Sequence, residues 1–248
     1  MKVTVFLNPI FKGSDFQLEK SIVIMIDVLR ASTTVAAALY NGAKEVVPSE
    51  NSDLAMRIFT GLDRSIRFIG GEKNNEKPAG FDAGNSPLEY TPEKVTGKTV
   101  IFTTTNGSPL FTKARDSQAR LIASFVNFDA VIEKLVQLIE EDTEGKYEHL
   151  YFICAGSNGQ FSYEDSLCAG GLIFHLSKRC SGLDLSDSAD AVRNLFDFHS
   201  ENLFEFLSSR DHAQNLINSG HPEDLPVCFS FNTYPVVPVI IGSNIRKG

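Results

Sequence analysis

The sequence predicts an α/β fold, a layered α/β/α arrangement around a largely buried, mixed sheet. Three observations carry this. Short apolar runs alternate with stretches of helical periodicity along most of the chain. Several of the runs end abruptly on an acid, a glycine pair or a threonine cluster, as strands do where they leave a sheet: Ile26-Asp27, Gly70-Gly71-Glu72 and Thr103-Thr104-Thr105. The 248 residues, 42% hydrophobic, are enough for a substantial core. Residues 1–248 read as a single unit or as two closely packed α/β subdomains, since no linker, repeat or low-complexity tract divides them.

In chain order, Ser21–Ile26 reads as a buried strand, and 32–40 as a helix closed by Asn41-Gly42. Glu45–Pro48 is a short strand, and Ser52 is placed to cap a helix over 53–60. Strands follow at 65–69, 98–103 and 121–124. Asn127 is placed to cap a helix over 128–141, with Val131, Leu135 and Leu138 on one face. Residues 149–155 form a strand and 164–178 a helix. The tail is helix-rich from 188 to 218, and strands at 227–231 and 236–241 close the chain.

Composition excludes several classes. A formal net charge of -8 argues against a broad electrostatic grip on nucleic acid or an anionic membrane surface. Asp27 and Arg30 interrupt the greasy stretch from 21 to 40, which therefore reads as a strand turning into a helix and not as a membrane span. The N-terminal apolar run is too short for a secretory signal. Cys154, Cys168, Cys180 and Cys228 show no zinc spacing and no CxxC pair, which suits buried, reduced thiols in a cytoplasmic protein. The expectation is a cytoplasmic protein with no nucleic-acid or membrane partner; a homo-oligomer is compatible with it.

In open α/β sheets ligands bind beyond the carboxyl ends of strands, so the strand exits are the places to look. Asp27-Val28-Leu29-Arg30-Ala31-Ser32 sets an acid and a base ahead of a helix N-terminus, where Arg30 can grip an anion and Asp27 a cation. A structural Asp27–Arg30 ion pair, with Ser32 as cap, explains the same residues. Gly70-Gly71-Glu72-Lys73 lets the backbone approach a ligand closely, with Glu72 suited to metal and Lys73 to phosphate or sulfonate. A flexible polar loop explains it as well. Gly84-Asn85-Ser86-Pro87 is a strong turn. Thr103-Thr104-Thr105-Asn106-Gly107-Ser108 can donate hydrogen bonds to phosphate oxygens without adding charge; β-propensity and turn chemistry are its plain alternative. Gly156-Ser157-Asn158-Gly159 can form an anion nest, and Glu164-Asp165 at a helix start can bind Mg²⁺ or simply answer the helix dipole.

Exclusions narrow the chemistry. There is no GxxxxGK[ST], GxGxxG, HExxH or GxSxG, and no Cys with Arg six residues on. Leu29 stands two places after Asp27, where an aspartyl-phosphate enzyme of the haloacid dehalogenase type carries a second Asp. Arg210-Asp211-His212 is not a histidine-phosphatase signature.

Four segments in order nevertheless resemble one family. They are 26–34, then Gly70-Gly71-Glu72 with 80–90, then 103–108, then 154–159 with 164–170. Together they are similar to the 2-phosphosulfolactate phosphatase family over roughly residues 20 to 170, with weaker similarity around 209–212 and 237–239. Lys73 departs from it, standing where the family often has Arg, and a Lys cannot reproduce Arg's fork. The resemblance implies Mg²⁺-dependent hydrolysis of 2-phospho-3-sulfolactate, a small, doubly anionic substrate, to 3-sulfolactate and phosphate, a step linked to coenzyme M synthesis. On that basis Asp27, Arg30 and Asp165 are expected to be catalytic, and Asp27, Glu72, Glu164 and Asp165 to supply the metal ligands. Asn85, Thr104, Thr105, Asn106, Gly107, Gly156, Ser157, Asn158 and Gly159 are expected to hold substrate, with Lys73 on the sulfonate. The alternatives are a phosphatase for another small phosphorylated hydroxy acid, or a non-catalytic anion-binding protein.

Overall fold

The computed structural model describes residues 1–9, 17–105, 110–111 and 114–248. Its strands are β1 (Lys2–Phe6), β2 (Ser21–Ile26), β3 (Glu45–Pro48), β4 (Arg67–Gly71), β5 (Thr99–Thr103), β6 (Ala119–Ala123), β7 (His149–Cys154), β8 (Asp184–Leu185), β9 (Pro238–Ile241) and β10 (Asn244–Lys247). They form one mixed sheet in the order β4-β5-β3-β10-β9-β6-β2-β7-β1-β8. The helices that position the site are α1 (Ala31–Tyr40), α2 (Ser52–Thr60), α3 (Pro92–Val95), α4 (Phe128–Glu140), α5 (Tyr163–Arg179), α6 (Asp187–His199), α7 (Leu203–Ser208), α8 (Asp211–Asn218) and α9 (Asp224–Cys228).

Strand β2 shows why the layers form. It is buried along its whole length, so its two-residue period feeds two cores. Ile22, Ile24 and Ile26 join one, with side chains of α4, α5 and α6; Val23 and Met25 join the other, with α1. Burial of each such side chain stabilises by about 1.5–3 kcal/mol. Helix α1 is small-residue-rich and buried from Ala31 to Leu39, which seats it close against the sheet.

The sheet consists of two parallel blocks, β4-β5-β3 and β6-β2-β7-β1-β8, joined by the β9–β10 hairpin. Every contact of that hairpin is antiparallel, so the two blocks run in opposite directions. In a flat sheet their carboxyl ends would lie on opposite edges. Each block meets the hairpin through a single residue pair, Val46–Ile245 and Leu121–Val239. Residues at the carboxyl ends of both blocks nevertheless line one cavity.

Glu45 reinforces one seam. Arg246 reaches it with Nε at 3.0 Å and Nη2 at 2.8 Å, and Asn244 donates at 3.0 Å. Burial opposes the Glu45 carboxylate, but these bonds outweigh it and hold its pKa below the ordinary 4.5. A depressed carboxylate stabilises above its unfolded pKa, and that contribution is lost as pH falls through the folded value. Glu45→Gln is expected to cost about 1 kcal/mol at pH 7, Arg246 being half-exposed. The variant should also lose less stability than the wild type below pH 4.5. Urea melts at pH 7 and pH 3.5 check this, and equal pH dependence in both proteins would refute it.

Several elements differ from the sequence reading. Asn51, not Ser52, caps α2, accepting from the Leu54 N–H at 2.9 Å. Asn127 makes no side-chain cap on α4. Its Oδ1 accepts from the Ser124 N–H, and its Nδ2 donates to the Ile122 and Val236 carbonyls, tying β6 to the tail. Residues 227–231 are not a strand: α9 ends at Cys228, and Leu225, Cys228 and Phe229 enter the core at helical spacing. Strand β4 lies two residues further on than expected, and β1, β8 and β10 are strands beyond those the sequence predicts. All four cysteines are free and buried. Among the described residues no helix is long and apolar enough to cross a membrane.

Candidate active site

At the exit of β2 the backbone folds back on α1. The Asp27 N–H donates to Ser32 Oγ at 2.9 Å, and the Ser32 N–H donates to the Asp27 carbonyl at 2.8 Å. Asp27 Oδ1 also accepts from the Ala31 N–H at 3.2 Å, so the carboxylate is fixed at the start of α1. Arg30 pairs not with Asp27 but with Asp224 of α9, Nη1 to Oδ2 at 2.6 Å, both side chains almost fully buried. The other Asp224 oxygen accepts from Ser86 Oγ at 2.5 Å, which links the 80–90 segment to the same network.

The exits of β4 and β5 are joined by Glu72. It accepts from the Thr105 N–H at 2.6 Å, from Thr105 Oγ1 at 3.0 Å and from the Asn75 N–H at 2.8 Å. The two glycines before it serve packing and not ligand approach. A Cβ at Gly70 would lie 1.9 Å from the Tyr90 hydroxyl, and one at Gly71 would lie 1.9 Å from the Thr103 carbonyl. Tyr90 in turn donates to the Gly84 carbonyl at 2.7 Å and holds the turn that presents Asn85. The Asn85 side chain is buried, and its Oδ1 has no hydrogen-bond partner.

At the exit of β7, residues Ser157 and Gln160 close a tight turn. It needs glycine at 156, where φ is +65° and a Cβ would meet the Gln160 carbonyl at 2.1 Å. Asp165, in the first turn of α5, clamps two exits together. Its Oδ1 accepts from the Val28 N–H at 2.8 Å and its Oδ2 from the Gly156 N–H at 2.9 Å.

These exits surround a narrow cavity of about 80 Å³. Of the residues singled out in the sequence, Asp27, Arg30, Glu72, Asn85, Thr104, Thr105, Ser157 and Asn158 line it. Lys73 is exposed and faces a neighbouring depression instead. Glu164 borders a second cavity, and Asp165 lies behind the wall as a clamp. Gly156 and Gly159, both at positive φ, shape the turn without lining the cavity. Asn106 and Gly107 lie outside the described residues. Leu29, Asn74, Asn75, His212 and Asn215 line the cavity without having been foreseen.

Charge in this region is unbalanced. Arg30 is paired with Asp224, and His212 Nδ1 with Glu164 at 2.5 Å. Asp27, Glu72 and Asp165, all buried, form no ion pair among the described residues. Burial pushes Asp27 up to about 7; nearby His212 and the Ala31 N–H pull against this, while Glu72 and Glu164 add to it. Burial and the charges of Glu164 and Asp27 hold Asp165 well above the usual carboxylate range. For His212 burial opposes the imidazolium, but Glu164, Asp165 and Asp27 outweigh it and raise its pKa to about 9.

A buried excess of carboxylates suits a cation. Among the described residues no three His, Cys, Asp or Glu side chains form a ready-made metal cage. Magnesium needs less, since it is commonly held by one or two carboxylates together with substrate phosphate and water. Asp27 and Glu72 fit that requirement because both line the cavity and the charge of Glu72 opposes ionisation of Asp27. Asp165, a clamp behind the wall, and Glu164, which is bonded to His212 and borders the neighbouring cavity, do not face the same space.

Comparison with known proteins points to one family. A family model described as "2-phosphosulpholactate phosphatase" matches residues 11–242. A protein named "Probable 2-phosphosulfolactate phosphatase" from Caldanaerobacter subterraneus subsp. tengcongensis is 34% identical over 233 residues, covering 94% of this chain and 93% of its own. One of the same name from Thermotoga petrophila is 38% identical over 88% of both chains. Another, from Clostridium botulinum, is 30% identical over the full length of both.

Proposed function

The chain belongs to the 2-phosphosulfolactate phosphatase family, and on that premise we propose that it hydrolyses 2-phospho-3-sulfolactate to 3-sulfolactate and phosphate with Mg²⁺. The observation that carries this reading is convergence. Asp27 and Arg30, Glu72 and Asn85, Thr104, and Ser157 come from four separated segments, yet they line one cavity.

The residues divide the work by charge. Arg30 lines the cavity and is fixed by the buried Asp224, so its position is set before substrate arrives. Thr104, Ser157 and Asn158 provide neutral polar contacts along the wall. His212, held as imidazolium by Glu164, adds a second positive charge. Asp27 and Glu72 would hold Mg²⁺, which when bound neutralises charge on the phosphoryl oxygens. Asp165 acts through the backbone, keeping the β2 and β7 exits in register.

The test is phosphate release from a panel of phosphorylated hydroxy acids, with Mg²⁺ and with chelator. Saturable turnover that disappears on chelation and returns with Mg²⁺ is expected, with 2-phospho-3-sulfolactate the preferred substrate. Preference for an unsulfonated acid would reassign the substrate, and no release from any of them would leave an anion-binding protein.

A further inference from the structure

Past His212 and Asn158 the catalytic cavity adjoins another, of about 470 Å³, with which it shares Ser157, Asn158, His212 and Asn215. Arg210 lines this second cavity and is held in an unusual way. Its guanidinium carbon lies 4.5 Å from the ring centre of Phe206 and 5.7 Å from that of Tyr163. Nε donates to the Phe206 carbonyl at 3.2 Å and Nη2 to Ser209 Oγ at 2.7 Å. Unlike Arg30, it has no carboxylate partner among the described residues. Arg210 is thus a cation braced by aromatic rings and neutral acceptors, with its charge unanswered.

A second, independent feature faces the same space. Ser162 precedes the 17-residue α5 without capping its backbone, its side chain lying near Asp165 of the first turn. Its hydroxyl is buried without a hydrogen-bond partner. A buried hydroxyl in that state is a donor awaiting an acceptor. The first residues of α5 and α8 also border the cavity, and helix N-termini favour anions. The rival location, the depression at Lys73, sets one exposed lysine against Glu50, Asp53 and Glu72, whereas the Arg210 cavity holds two acids, Asp211 and a Glu164 already paired with His212.

We propose that Arg210 and Ser162 bind the sulfonate of the substrate while its phosphate occupies the catalytic cavity; this rests on the functional reading above. A sulfonate is a weakly basic monoanion with three acceptor oxygens. It suits a planar guanidinium beside a hydroxyl and has no need of the metal. His212 and Asn158 lie on the wall common to the two cavities, which lets a short substrate place one anion on each side.

Calorimetric titration of wild type, Arg210→Ala and Arg210→Lys with 3-sulfolactate, lactate and inorganic phosphate, at fixed Mg²⁺, tests this. Arg210→Ala should weaken 3-sulfolactate about tenfold or more, with Lys intermediate, and leave lactate and phosphate within about twofold. In turnover, KM for 2-phospho-3-sulfolactate should rise with kcat little changed, and 2-phospholactate should be unaffected. Undiminished 3-sulfolactate binding in Arg210→Ala, equal losses for lactate or phosphate, or no 3-sulfolactate binding by the wild type would each overturn the subsite. Failure of the wild type to release phosphate would overturn the catalytic reading alone, because the binding comparison needs no turnover.

Discussion

Asp27→Asn is expected to lower Mg²⁺-dependent phosphate release about a thousandfold, with a melting temperature equal to or above that of the wild type. The loss corresponds to about 4 kcal/mol of transition-state stabilisation. The amide keeps the shape and can still accept from the Ala31 N–H, so the turn into α1 survives. It removes a charge that burial opposes and that Glu72 and Glu164 repel. Stability and catalysis therefore make opposite demands at this position. Phosphate release beside a thermal melt is the measurement. Near-wild-type turnover would mean that Asp27 is only a cap, and a large drop in melting temperature would mean that its charge is structural.

Arg30 should give the second large effect, and it separates two roles by substitution. Arg30→Ala leaves Asp224 buried with Ser86 as its remaining polar partner. Removing one member of a buried pair costs about 3–5 kcal/mol, so both stability and turnover should fall. Arg30→Lys keeps a positive charge beside Asp224 but loses the planar fork. It should recover most of the stability while kcat/KM stays down about a hundredfold on every phosphorylated substrate tried. Chemical denaturation and kcat/KM on two unrelated phosphate esters check both parts. Recovery of activity along with stability in Arg30→Lys would show that the site needs charge alone.

The strand exits were legible because strands announce themselves: an apolar run that stops on Asp27, Thr104 or Ser157 marks both a sheet and its edge. What the exits do was harder to read. Gly70 and Gly71 resemble a ligand-approach motif, yet the atoms that exclude a side chain belong to Tyr90 and Thr103, remote in sequence or across a strand pair. Asp165 looks like a metal ligand by position, but it lies behind the cavity wall, held there by Val28 and Gly156 N–H groups that no spacing rule predicts. His212, Asn215 and Asp224 come from the helical tail, where local pattern reports amphipathicity and nothing about a distant cavity. The one available hint was the similarity near 209–212. The opposite direction of the two parallel blocks was equally hidden, since it depends on the antiparallel β9 and β10 between them.

We propose that one cavity, assembled from four segments, seats phosphate against Arg30 and a divalent ion on Asp27 and Glu72. A crystal of the protein grown with Mn²⁺ in place of Mg²⁺ and with inorganic phosphate tests it most directly, because manganese can be located by its anomalous scattering. The predicted result is one strong peak within direct ligand distance of Asp27, bordered by Glu72, with a phosphate oxygen shared between the metal and the Arg30 guanidinium. A metal bound instead by Glu164 and Asp165, or a phosphate with no contact to Arg30, would contradict it.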